Sequence, residues 1–149
     1  MIITPELFST DMGERGYYLK SKGDDYYTPA DLLTELRNEF GPLFDPCPIN
    51  HYMNGLETEW ANVNFVNPPY SNWSDWVKKG AEQTLKGRTS IFLLPARTDT
   101  KTFHEYIYKK PNVEIRFIKG RLKFTRNGKS SPAPFPSMLV IMKPSESSL

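Results

Sequence analysis

"FVNPPYSNW", residues 65–73, is the stretch from which the fold can be read. Phe65 and Val66 close an apolar run, "ANVNFV", whose β-branched and aromatic residues suit a strand. Two consecutive prolines then remove two backbone donors and fix two φ angles, so Pro68 and Pro69 end the strand in a stiff turn. Beyond the turn, Trp73, Trp76, Val77, Ala81 and Leu85 recur at helical spacing with Lys78, Lys79, Glu82 and Lys86 between them. That pattern predicts an amphipathic helix packed on a sheet. The unit is strand, rigid turn, helix, and it holds Asn67 at the carboxyl end of the strand.

Working outward, "YYTPADLLTELRNEF" predicts a helix: Thr28 can cap it, Pro29 suits the first helical position, and Leu32, Leu33, Leu36 and Phe40 form one apolar stripe. Gly41 and Pro42 stop it. "LFDPCP" reads as a short strand with Asp45 at its carboxyl end. "TSIFLLPA" is continuously apolar, as in a strand buried on both faces, and Pro95 ends it. A helix is expected over about Lys101 to Lys110 with Phe103, Tyr106 and Ile107 inward, then strands in "NVEIRFIKGRLKFT" and "SMLVIMK". The expected fold is α/β, its sheet mostly parallel with an antiparallel edge. Ligands in such sheets sit beyond the carboxyl ends of the strands. If the strands are neighbours, Asp45-Pro46-Cys47-Pro48, Asn67-Pro68-Pro69-Tyr70 and Pro95-Ala96-Arg97-Thr98-Asp99 line one crevice.

A chain of 149 residues fits one core. Residues 1–24 read as a polar arm, 25–143 as the domain and 144–149 as a polar tail. The 19 Lys and Arg exceed the 17 Asp and Glu by only two, so attraction to a polyanion must come from clustering. Such a cluster exists in "IRFIKGRLKFTRNGK", where Arg116, Lys119, Arg121, Lys123, Arg126 and Lys129 are expected to share one hairpin suited to phosphate contacts. The single cysteine, Cys47, excludes an internal disulfide, and His51 and His104 have no zinc spacing, so a metal site is not expected. Neither a signal peptide nor a membrane span is expected, which points to a cytoplasmic protein.

The turn also carries chemistry. The side-chain carbonyl of Asn67 and the backbone carbonyl of Pro68 can converge, because the proline ring fixes the chain between them. Two converging acceptors suit an amino group conjugated to a ring. Accepting both its hydrogens returns the nitrogen lone pair and makes it nucleophilic toward a methyl donor. Tyr70 offers a face on which a base could stack after leaving the double helix.

"NPPY" is the motif of amino-methyltransferases, and with "YYTP", "FDPCP", "LLPARTDT", "GRLKF" and "PAPFPS" in this order the chain resembles the short Dam-like phage DNA N6-adenine methyltransferases over about residues 25–142. The resemblance implies a reduced Rossmann-like class I methyltransferase sheet and S-adenosyl-L-methionine as cofactor. It further implies double-stranded DNA with a flipped adenine as substrate, and it leaves room for an oligomer. By position, Asn67, Pro68 and Tyr70 would be catalytic, and Thr28, Pro29, Asp45, Pro46, Cys47 and Asn67 would bind the cofactor. Pro69, Tyr70, Arg97, Arg121, Lys123 and either Phe124 or Phe135 would bind the substrate. The location would be the cytoplasm, that of the host for a phage-encoded chain.

The chain also departs from the pattern. Pro-Cys-Pro follows Asp45 where a glycine-rich turn is usual, and positions 46–66 are too few for two strand and helix units, one crossover taking about a dozen residues or more. The carboxylate that grips the ribose has only Glu57, Glu59, Asp24 and Asp25 as candidates. Methylation of RNA or of a protein glutamine is the rival chemistry. A nucleic-acid-binding module without methyl transfer is the rival class. Taken singly, Asp45 can be a plain turn residue, Arg97 and Asp99 can cap a helix, and the basic stretch can be a solvated face.

Overall fold

The computed structural model describes residues 28–48, 54–126 and 129–144. The expected arm, Asp24, Asp25, His51 and residues 145–149 of the tail lie outside them. Helix α1 spans Ala30–Phe40, with Leu33 and Leu36 buried. Pro29 takes the N-cap position and no side chain caps the helix, so Thr28 does not make the cap bond its type suggests. The helix stops at Gly41, whose φ of 85° is open to glycine without a Cβ penalty.

The main sheet is built from β1 (Val63–Val66), β2 (Thr89–Pro95), β3 (Val113–Phe117) and β6 (Ser137–Met142) in the order β1-β2-β6-β3. Strand β1 runs parallel to β2, and α2 (Trp73–Thr84) makes the crossover between them. Strand β6 is antiparallel to both β2 and β3. The reversed strand therefore lies inside the sheet, and of the three ladders only β1 with β2 is parallel. "LFDPCP" does not form a full strand: Phe44 makes a single parallel bridge to Asn64 on the outer side of β1. Pro46 and Pro48, which have no amide hydrogen, do not extend the ladder.

Period-two alternation gives the sheet two buried faces. Val66, Phe92, Leu94, Met138 and Val140 face one way and pack with Trp73, Trp76 and Val77 of α2 and with Phe103 and Ile107. Phe65, Ile91, Leu93, Leu139 and Ile141 face the other way, against Leu33 and Leu36 of α1 and against Phe124 and Ala133. This explains why β2 from Ile91 and β6 from Met138 are apolar on both faces: a helix or hairpin covers each side.

The helix expected over Lys101 to Lys110 is present over residues 101–107, its Phe103–Ile107 part π-helical, with Phe103 and Ile107 buried as expected. Two further sequence expectations change. Leu85, assigned to the buried face of α2, is 73% exposed because the helix has ended before it. The basic run is split between two sheets. Strand β3 joins the main sheet, while β4 (Lys123–Arg126) and β5 (Lys129–Pro132) form a separate hairpin. Arg116 thus leaves the basic hairpin and instead forks onto Glu39 of α1 at 2.7 and 2.6 Å, with Glu114 also held at 2.6 Å.

Candidate active site

The bridge at Phe44, strand β1 and strand β2 are parallel neighbours, so Asp45, Asn67 and Ala96-Arg97 leave the sheet at the same end. Strand β6, running the other way, begins at that end. The amide of Ala96 donates to the carbonyl of Pro136 at 2.8 Å, which brings the segment before β6 alongside the segment after β2. The ring of Phe135 consequently meets Tyr70 edge to face, with centroids 4.8 Å apart and planes at 90°. The guanidinium of Arg97 lies 6.0 Å from the centre of the Phe135 ring. Four segments far apart in sequence thus share one end of the sheet.

The Asn-Pro-Pro-Tyr turn is stiff for the expected reason. Val66 and Pro68 are buried, and Pro69 is the N-cap of a 3-10 turn over Tyr70–Asn72 that leads directly into α2. The half-buried Asn67 donates through Nδ2 to the hydroxyl Oγ1 of Thr28 at 3.1 Å. Asp45 accepts the amide of Cys47 on Oδ1 at 2.8 Å, which closes a tight Asx turn and fixes its carboxylate at the strand end. Cys47 is 7% exposed and its side chain belongs to the core that includes Trp60 and Trp76. After β2, Thr100 ties the loop by donating to the carbonyl of Arg97 at 3.0 Å and accepting the amide of Phe103 at 3.2 Å. Arg97 itself stays exposed.

The two phenylalanines left open by the sequence separate clearly. Phe124 is 2% exposed and packs in the core under α1, so it is not available to a base. Phe135 is the one beside Tyr70. The two rings do not form a parallel slot, however. Stacked rings need about 3.4 Å per layer, so a base held between two faces needs roughly 7 Å. A perpendicular pair at 4.8 Å instead makes a corner, and a base entering there must part the rings or lie on one of them. Arg121 donates to the carbonyl of Ala133 at 3.3 Å, and Lys123 pairs with Pro132, so both sit at the base of the hairpin next to the Phe135 segment.

Of the candidate ribose carboxylates, Asp24 and Asp25 lie outside the described residues. Glu59 is bound by Lys86 at 2.5 Å and by Arg88, beside the start of β2 and hence at the opposite end of the sheet from Asn67. These two cations hold its carboxyl at about 2, below the ordinary 4.5. Glu57 is exposed in the loop before β1. Between Pro48 and β1 the described residues contain neither a helix nor a strand, as the short spacing predicts.

Sequence reasoning missed the contact between Thr28 and Asn67 and the approach of Arg97 to Phe135, because neither pair is close along the chain. Among the described residues, no three His, Cys, Asp or Glu side chains converge as a metal site, and no helix is long and apolar enough to cross a membrane.

The chain is thus a mixed α/β protein with an Asn-Pro-Pro-Tyr turn at a strand end. The model of the DNA N-6-adenine-methyltransferase (Dam) family matches residues 16–149, and the chain belongs to that family. No curated protein and no solved structure matches it.

Proposed function

We propose that the chain transfers a methyl group from S-adenosylmethionine to N6 of an adenine turned out of double-stranded DNA. The observation that best supports this, beyond family membership, is the grouping of Asn67, Tyr70, Phe135 and Arg97 at one end of the sheet. The residues present suit the cofactor. Asp45 is a half-buried carboxylate fixed at a strand end by the amide of Cys47, a fitting partner for the ammonium group of the methionine part. Pro29, Pro46 and the backbone of Cys47 would complete that wall. When bound, S-adenosylmethionine supplies an electrophilic methyl group on a positively charged sulfur.

In this reading the carbonyls of Asn67 and Pro68 accept the two N6 hydrogens, and this alignment carries the rate. The nitrogen loses its proton after attack, so no base is required beforehand. Tyr70 stacks on the adenine, with Phe135 and Pro69 shaping the corner around it. Arg97, Arg121 and Lys123 face the backbone phosphates. The stretch of positions 46–66 is short for a full adenosine site, so cofactor affinity is expected to be low without DNA.

The test is incubation with unmethylated double-stranded DNA and labelled S-adenosylmethionine, then digestion to nucleosides and mass analysis, with Asn67→Ala as control. N6-methyladenine that disappears in the variant supports the reaction and the role of the turn together. Cofactor binding without a methylated DNA base moves the substrate to RNA or a protein glutamine. Absence of cofactor binding even with DNA present leaves a DNA-binding module.

A further inference from the structure

We propose that Thr28 is a positioning residue that anchors the side-chain amide of Asn67 through Nδ2, an inference that rests on the methyltransferase reading above. The hydroxyl of Thr28 stands immediately before α1, where a side-chain cap is expected, yet no side chain caps that helix. It accepts instead from Nδ2 of Asn67 at 3.1 Å, across 39 positions of sequence.

The backbone makes this contact well defined. Thr28 precedes Pro29 and Asn67 precedes Pro68, and a residue before proline is confined to extended conformations. Both side chains therefore project from stiff supports, one at the entry to α1 and one at the end of β1.

The chemical consequence follows from the asymmetry of an amide. Asn67 has a donating end and an accepting end, and only the accepting end can serve an amino group that must donate both its hydrogens. With Nδ2 engaged by Thr28, Oδ1 is the end turned away from Thr28. The reversed amide would present N–H to N–H, which repels. By accepting from Nδ2, the Thr28 hydroxyl anchors the Asn67 amide with Oδ1 at its free-standing far end, without touching the reacting atoms.

Two variants and two readouts test this. Thr28→Val preserves shape and removes the acceptor; Thr28→Ser keeps it. Expected for Thr28→Val is a roughly tenfold fall in kcat at saturating DNA and S-adenosylmethionine, the size of one lost hydrogen bond, with the Kd for S-adenosylmethionine within about twofold. Thr28→Ser should stay within about twofold of the parent in both. In 15N-labelled protein, the Asn67 side-chain NH2 signals, identified by their loss in Asn67→Ala, should shift and exchange faster in Thr28→Val. A Thr28→Val enzyme with full kcat overturns the proposal, as does one that loses only cofactor affinity. If the parent protein methylates no adenine, the functional reading falls by itself. The NMR experiment still decides the contact, and unchanged Asn67 signals in Thr28→Val overturn it.

Discussion

Phe124 and Phe135 are both aromatic, both flanked by polar or proline residues, and indistinguishable by composition as stacking partners for a base. Their neighbours separate them: Phe124 is enclosed beneath α1 with Leu33 and Leu36, whereas Phe135 is half-buried beside Tyr70 and Arg97. Phe124→Ala should therefore cost about 3–5 kcal/mol of stability, read from denaturant unfolding, because a closed core cannot fill the space of a lost ring. Phe135→Ala should leave the unfolding midpoint nearly unchanged and reduce turnover on DNA. Equal stability losses in the two variants would contradict the separate roles. Tyr70→Ala should weaken use of DNA far more than binding of S-adenosylmethionine, measured by comparing KM for DNA with the cofactor Kd. Equal losses would argue against stacking.

The turn at Asp45 is supported by an element the sequence did not single out, the loop running from Asn54 to Trp60. Gly55 sits so close to the turn that a Cβ there would come within 1.8 Å of the Pro46 carbonyl oxygen and 2.8 Å of the Trp76 ring. The indole of Trp60 donates back to the carbonyl of Gly55 at 2.8 Å and stacks on Trp76 with centroids 6.3 Å apart. The loop and α2 thereby hold the Asp-Pro-Cys-Pro turn from behind. Gly55→Ala must displace the backbone of Pro46, a rigid neighbour, and should cost about 1–3 kcal/mol of stability as overpacking does. It should also raise KM for S-adenosylmethionine more than KM for DNA, since the displaced turn carries Asp45. A variant with parental cofactor affinity would separate that loop from the site.

Across the whole molecule, charge is divided between the two ends of the sheet. Near the amino end of β2, Glu59 binds Lys86 and Arg88 and so ties the loop before β1 to the exit of α2. Its carboxyl is held at about 2 against an ordinary 4.5, first by the hydrogen bond from Lys86 and then by that from Arg88. A lowered folded-state value means that the stabilisation is fully present above 4.5 and is lost as pH falls toward about 2. Glu59→Gln should flatten the dependence of Tm on pH across that interval, and an unchanged acid limb would show that the pair contributes nothing. At the carboxyl end of the sheet, Lys123 and Arg121 stand exposed beside the Phe135 segment, with Lys129 farther along the hairpin. If these cations meet phosphates, each replacement by alanine should weaken DNA binding across sequences and reduce the slope of log K against log salt by about one. Arg116→Ala should leave that slope alone and lower stability, because its guanidinium is engaged by Glu39 and Glu114.

Local physics made several features readable from the chain alone. Apolar periodicity located α1, α2, β2 and β6, because burial imposes a period of 3.6 on a helix and of two or none on a buried strand. The stiffness of the Asn-Pro-Pro-Tyr turn followed from the proline rings themselves. Other features depended on which distant segments came to lie side by side. The insertion of β6 between β2 and β3, the division of one basic run between two sheets, and the arrival of Phe135 at Tyr70 all rest on strand pairing. So does the engagement of Thr28 by Asn67 rather than by its own helix. Pairing is settled by burying both faces of the sheet at once, a property of the folded whole. A sequence window carries the periodicity of each element but not the identity of its neighbour.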